Sequence, residues 1–98
     1  MRVYISGPMS GLPNYNREAF HDMERHLLSL GHRDIFNPAN LPPGHDWQYY
    51  MAICLEEVAK SHRIIMLAGW DKSLGACMEH ALAVCLKLQI IKQGGIEE

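Results

Sequence analysis

A single carboxylate stands out in the stretch Gly69-Trp70-Asp71-Lys72-Ser73-Leu74-Gly75-Ala76-Cys77-Met78-Glu79. An apolar run, Ile64-Ile65-Met66-Leu67, precedes it and reads as a buried strand. Ser73 then opens a helix as its N-cap, with Gly75 in the first turn. Glu79 follows six residues after the serine, in an otherwise apolar helix, on the side of Ala76 and Ala83. A carboxylate in such a place costs free energy unless something uses or satisfies it. It is a candidate nucleophile or base at the mouth of a crevice. The plain alternative is a carboxylate satisfied by Arg2 or by a histidine. Ser73 and Gly75 can likewise be an ordinary helix start, or contacts for a phosphate or a sugar hydroxyl.

A second stretch, Gly7-Pro8-Met9-Ser10-Gly11, lies between a strand and a helix. Gly7 and Gly11 let backbone N–H groups approach an anion, the helix start adds its dipole, and Ser10 can donate. A tight turn with no ligand explains the same residues. The pattern is not Gly-x-Gly-x-x-Gly, and no Lys-Ser/Thr follows, so neither a dinucleotide fingerprint nor a P-loop is present and no cofactor is implied. Six histidines (21, 26, 32, 45, 62, 80) show no metal-ligand spacing and read as solvated.

The elements that must position these residues alternate. Strands are expected at Arg2–Ser6, Asp34–Asn37, Arg63–Ala68 and Leu88–Ile91. Helices are expected at Tyr15–Leu30, with stripe Phe20, Met23, Leu27 and Leu30, and at Trp47–Ser61, with stripe Met51, Cys54, Leu55 and Val58. A third runs from Ser73 to Leu88, apolar nearly all round and so expected to be well buried. Gly31 is a plausible stop for the first helix, Asp46 can cap the second, and the loop from Ala39 to Asp46 should be a surface loop. This βαβαβαβ order predicts an α/β, flavodoxin- or Rossmann-like three-layer sandwich with a four-stranded parallel sheet in the order 2-1-3-4. Ligands in such sheets bind at the carboxyl ends of the strands where the order reverses, here between strands 1 and 3. The two stretches above follow those strands, so they should meet in one crevice.

The chain has 98 residues, 48% hydrophobic and 20% charged, with a net charge of −2. That predicts one domain over 1–92 with a polar tail at 93–98, and no basic face for duplex nucleic acid. No apolar run reaches the length of a membrane span, and no signal peptide is visible, so a cytoplasmic protein is expected. Cys54, Cys77 and Cys85 form no Cys-x-x-Cys pair. They read as reduced thiols, with Cys77 and Cys85 expected to be buried small hydrophobes.

Three motifs in this order carry a resemblance over roughly Met1 to Ile91: Tyr4-Ile5-Ser6-Gly7-Pro8-Met9-Ser10-Gly11, Phe36-Asn37-Pro38, and Gly69-Trp70 through Ser73-x-Gly75-Ala76-x-x-Glu79. The chain resembles the nucleoside 2-deoxyribosyltransferase superfamily, especially small members such as the deoxynucleoside 5′-monophosphate N-glycosidases and a short family common in phage and prophage. The resemblance implies a retaining attack on an N-glycosidic bond, with Glu79 forming a glycosyl-enzyme ester that water or a second base resolves. It implies that Tyr4 orients the glutamate and that the loop of Gly7, Met9, Ser10 and Gly11, with Ser73 and Gly75, holds a 5′-phosphate. It implies that Trp70 or residues of the 39–50 loop stack on the base; Asp46 of that loop is counted among the substrate contacts. It also implies a small-molecule nucleoside or nucleotide as partner and a homo-oligomer whose neighbouring subunit completes the pocket. One departure matters. The Asp-Leu pair of those enzymes, about eight residues before the third strand, reads Cys54-Leu55 here. A thiol does not replace a carboxylate as acid or base at its ordinary pKa. Hydrolysis, transfer and binding without turnover all stay open.

Overall fold

Period-two alternation in the central strands decides which helix packs where. A computed structural model describes residues 1–93. Strand β1 spans Arg2–Ser6, β2 Asp34–Phe36, β3 Arg63–Met66 and β4 Gln89–Lys92. All pair in parallel, in the order β2-β1-β3-β4. The helices are α1 (Arg17–Ser29), α2 (Trp47–Ala59) and α3 (Leu74–Cys85). Val3, Ile5 and Ile65 point to one face of the sheet, where Phe20 and Leu27 of α1 cover them. Tyr4, Ile64 and Met66 point to the other, where Cys54 and Val58 of α2 and Ala76 and Ala83 of α3 cover them. The result is the expected α/β three-layer sandwich, with the strand order reversing between β1 and β3.

Caps match the residues that supply them. Gly31 ends α1 at a φ of +97°, and the amides of Gly31 and His32 turn back to the carbonyls of Leu28 and Leu27. Asp46 Oδ1 accepts from the Tyr49 amide at the start of α2, and Ser73 Oγ accepts from the Ala76 amide at the start of α3. Lys87 stands in the left-handed region after α3.

Five expectations need correction. Helix α1 begins at Arg17 rather than Tyr15, because Asn14, Tyr15 and Asn16 all take left-handed backbone angles in a short 3-10 turn, Pro13–Asn16. Leu30 lies past the end of α1 and is 62% exposed, so it leaves the stripe. The segment after β2 is no plain surface loop: Pro38–Asn40 forms a 3-10 turn that buries Ala39. Helix α3 stops at Cys85 and is not well buried. Only Ala76, Glu79 and Ala83 are enclosed, while Leu74 is 69% and Val84 53% exposed. A chain this short has no further layer to place on the outer side of α3. For the same reason Cys77 is only half-buried and Cys85 is exposed, and neither is the buried hydrophobe expected. Most of the polar tail lies outside the described residues.

Candidate functional site

Glu79 is enclosed because its helix, α3, turns the Ala76–Glu79–Ala83 face onto the sheet; the residue is 6% exposed. Two β1 side chains meet it there. Residues two apart on a strand share a face, so Tyr4 and Ser6 rise together beneath α3. The Tyr4 hydroxyl donates to Glu79 Oε2 at 2.9 Å, and the Ser6 hydroxyl donates to Oε1 at 2.6 Å. Both donors are fully buried. Phe36 of β2 stacks on the Tyr4 ring, centroids 5.4 Å apart, and fixes it from the other side.

Burial pushes the Glu79 carboxyl up to about 7, against the opposing hydrogen bonds of Ser6 and Tyr4. Burial, with the charge of Glu79 beside it, also holds the Tyr4 phenol well above its ordinary range, so it remains a donor. Cys54 of α2 lies next to this pair. Burial pushes its thiol up to about 11; the contact with Tyr4 opposes this, and the charges of Glu79 and Glu57 add to it. It is neutral wherever Glu79 titrates. Arg2 and the histidines do not satisfy Glu79. Arg2 pairs with Asp34 and Glu57, at 3.3 and 2.7 Å, and His80 stacks on Trp70.

Glu79 and Cys54 stand on the floor of a cleft of about 340 Å³, within the usual size of small-molecule sites. The loop after β1 supplies Gly7, Met9 and Ser10, and the start of α3 supplies Ser73 and Gly75. These sequence-expected contacts do converge at the reversal of strand order. Gly7 is needed for packing: a Cβ there would sit 2.8 Å from Leu67 Cβ. Gly75 lets α3 approach α2, its missing Cβ 3.2 Å from Met51 Sδ.

Three expected contacts stay outside. Gly11 does not line the cleft; its φ of +81° serves the turn that leads into Pro13–Asn16. Asp46 is spent on capping α2 and is exposed. Trp70 turns to the far side, between His80 at 4.4 Å and the Lys92 ammonium at 5.3 Å, so it does not present a ring to a bound base.

Other residues take those places. Trp47, Tyr50, Met51 and Cys54 project into the cleft from one face of α2. Trp47 and Tyr50 fall within the 39–50 stretch from which a stacking residue is expected, whereas Met51 and Cys54 are expected in the core stripe of α2. His45 lines the cleft too, stacked on Tyr49 at 3.9 Å, and the Tyr50 hydroxyl ties the loop down by donating to the Pro42 carbonyl. Arg17 reaches the cleft from the first turn of α1, its guanidinium 5.2 Å from the Tyr15 ring centre. Among the described residues no carboxylate pairs with it. Ser6 is a partner of Glu79 that the sequence expectations do not name, although its position two after Tyr4 puts it on the same strand face. Among the described residues no three His, Cys, Asp or Glu side chains lie close enough to hold a metal ion, and no helix is long and apolar enough to cross a membrane.

The arrangement places one carboxylate, gripped at both oxygens, at the bottom of a cleft with aromatic walls and a single arginine at its mouth. A family model described as a domain of unknown function, DUF4406, matches residues 1–92. No curated protein matches the chain.

Proposed function

This chain belongs to the DUF4406 family of domains of unknown function, and we propose that it binds a nucleoside or nucleotide and cleaves its N-glycosidic bond. The observation that carries the reading is the Tyr4–Glu79–Ser6 constellation at the floor of the cleft. A carboxylate whose two oxygens are held by neutral donors has its remaining lone pairs free for an electrophilic carbon. Glu79 attacks C1′ of a deoxyribose, the C1′–N bond breaks, and its electron pair leaves with the base, which takes a proton from water. A second water then attacks C1′, gives up a proton and releases the Glu79 carboxylate. The resemblance to the nucleoside 2-deoxyribosyltransferase superfamily points the same way.

Arg17 supports a substrate with an anionic end, and so a 5′-monophosphate over a free nucleoside. Trp47, Tyr50 and His45 offer flat surfaces for a base. Free cysteines fit a reducing compartment such as the cytoplasm. The exposed apolar side of α3 supports self-association.

Cys54 favours a second reading. By the resemblance it stands where an acidic partner is expected, and its thiol neither donates nor accepts protons readily. A pocket built this way can hold a nucleotide, or a signal derived from one, without turning it over. Incubating the protein with deoxynucleosides and their 5′-monophosphates, and separating the free base by chromatography, decides between them. The first reading expects base from wild type and none from Glu79→Gln. Tight calorimetric binding with the ligand recovered intact supports the second. Equal inactivity of both proteins, with no binding, removes both.

A further inference from the structure

Tyr4 and Ser6 both touch Glu79, but they are not equivalent partners. Each hydroxyl can donate to a carboxylate or accept from a carboxylic acid, but the Tyr4 contact is the longer, at 2.9 Å, on a ring stacked against Phe36, and the Ser6 contact is the shorter, at 2.6 Å. Ser6 Oγ is fully buried, and its one side-chain partner among the described residues is Glu79 Oε1, at 2.6 Å. We propose that Ser6 is the positioning residue that governs Glu79: its hydroxyl donates to the carboxylate, turns to accept when the carboxyl carries a proton, and so decides which form the cleft presents.

The surroundings leave this role to Ser6. Among the described residues the titratable groups around Glu79 are Tyr4 of β1 and Cys54 of α2, with Tyr15, Arg17, His45 and Tyr50 lining the same cleft. The phenol and the thiol are both pushed upward by burial, so neither changes charge while Glu79 titrates. His80, next in sequence, faces Trp70. Of the two hydrogen bonds opposing burial, that of Ser6 is the shorter and has the larger effect. With Ser6 removed, Oε1 is a buried carboxylate oxygen without a donor, which favours the protonated form.

The inference rests on the glycosidase reading only in its kinetic arm. In full-length protein labelled with 13C at glutamate carboxyls, and with the Glu79 signal assigned from Glu79→Gln, the titration midpoint is followed by NMR. Ser6→Ala is expected to raise that midpoint by about one pH unit, a tenfold loss of the ionised fraction, and to raise it more than Tyr4→Phe does. Ser6→Thr, which keeps the hydroxyl, is expected to stay near wild type, and His45→Gln to leave the midpoint unmoved. In the kinetic arm, the rising limb of the pH profile for base release moves with the midpoint. A Ser6→Ala midpoint within about 0.3 of wild type, or a larger effect from Tyr4→Phe, overturns the proposal. If Ser6→Ala does not fold, the Ser6→Thr and Tyr4→Phe midpoints decide: a Ser6→Thr midpoint displaced as far as that of Tyr4→Phe also overturns it. Midpoints that move as expected in a protein that releases no base leave Ser6 in its role and remove the glycosidase reading instead.

Discussion

Glu79 binds its proton more tightly in the folded chain than in the unfolded one, its carboxyl being raised from 4.5 to about 7. The folded state therefore holds an extra proton between those values. The stabilisation this gives is complete below about pH 4.5 and is lost as pH rises through about 7, a change on the order of 3 kcal/mol. Urea denaturation near pH 5 and near pH 8 should show it in wild type and not in Glu79→Gln; the same slope in both would exclude Glu79 as its source. On the proposed glycosidase reading, catalysis has the opposite sign. A nucleophile must be ionised, so base release should rise through about pH 7 while stability falls. Gly7 is the other residue at which one atom matters. A Cβ 2.8 Å from Leu67 Cβ overpacks the start of the loop, and Gly7→Ala should lower stability by roughly 1–3 kcal/mol in chemical denaturation.

At the scale of elements, α3 separates what sequence patterning reveals from what it hides. Its composition predicts a buried helix, yet only the Ala76–Glu79–Ala83 face is enclosed. Apolar composition reports that a helix tolerates burial; it does not report how many neighbours a short chain can supply. Leu74→Lys or Val84→Lys should change monomer stability by less than about 0.5 kcal/mol, where a buried α3 would lose several times that. The thiols give an independent check. An alkylating reagent should reach Cys85 first, Cys77 more slowly, and Cys54 only on unfolding, followed by intact-mass spectrometry. Helix α1 teaches the converse. Tyr15 and Asn16 fall inside the expected helix, but Pro13 and the left-handed run after it delay the start until Arg17, which thereby reaches the cleft.

The whole molecule was legible as a topology before it was legible as a site. Strand order followed from βαβ alternation, because parallel pairing and crossovers leave few arrangements. Glu79, Ser73 and the Gly7–Ser10 segment followed from that order. The aromatic lining followed in part, since His45, Trp47 and Tyr50 lie within the expected 39–50 stretch. Trp70 and Asp46 lie close to the site in sequence, but orientation at a strand end and at a helix cap depends on packing that no local pattern encodes. The exposed apolar strip of α3 is also a property of the whole molecule. It predicts concentration-dependent association in sedimentation velocity, weakened by Leu74→Lys; a monomer at every concentration would count against it. The grip on Glu79 bears on how the protein is made. Its two hydrogen bonds join residues 75 and 73 positions apart, among the longest separations in the chain. During synthesis Tyr4 and Ser6 emerge first and wait, without their acceptor, until α3 has left the ribosome. Where the carboxylate is desolvated on the way to the folding transition state, that cost adds to the barrier. Refolding should be faster near pH 5 than near pH 8, and in Glu79→Gln that difference should disappear.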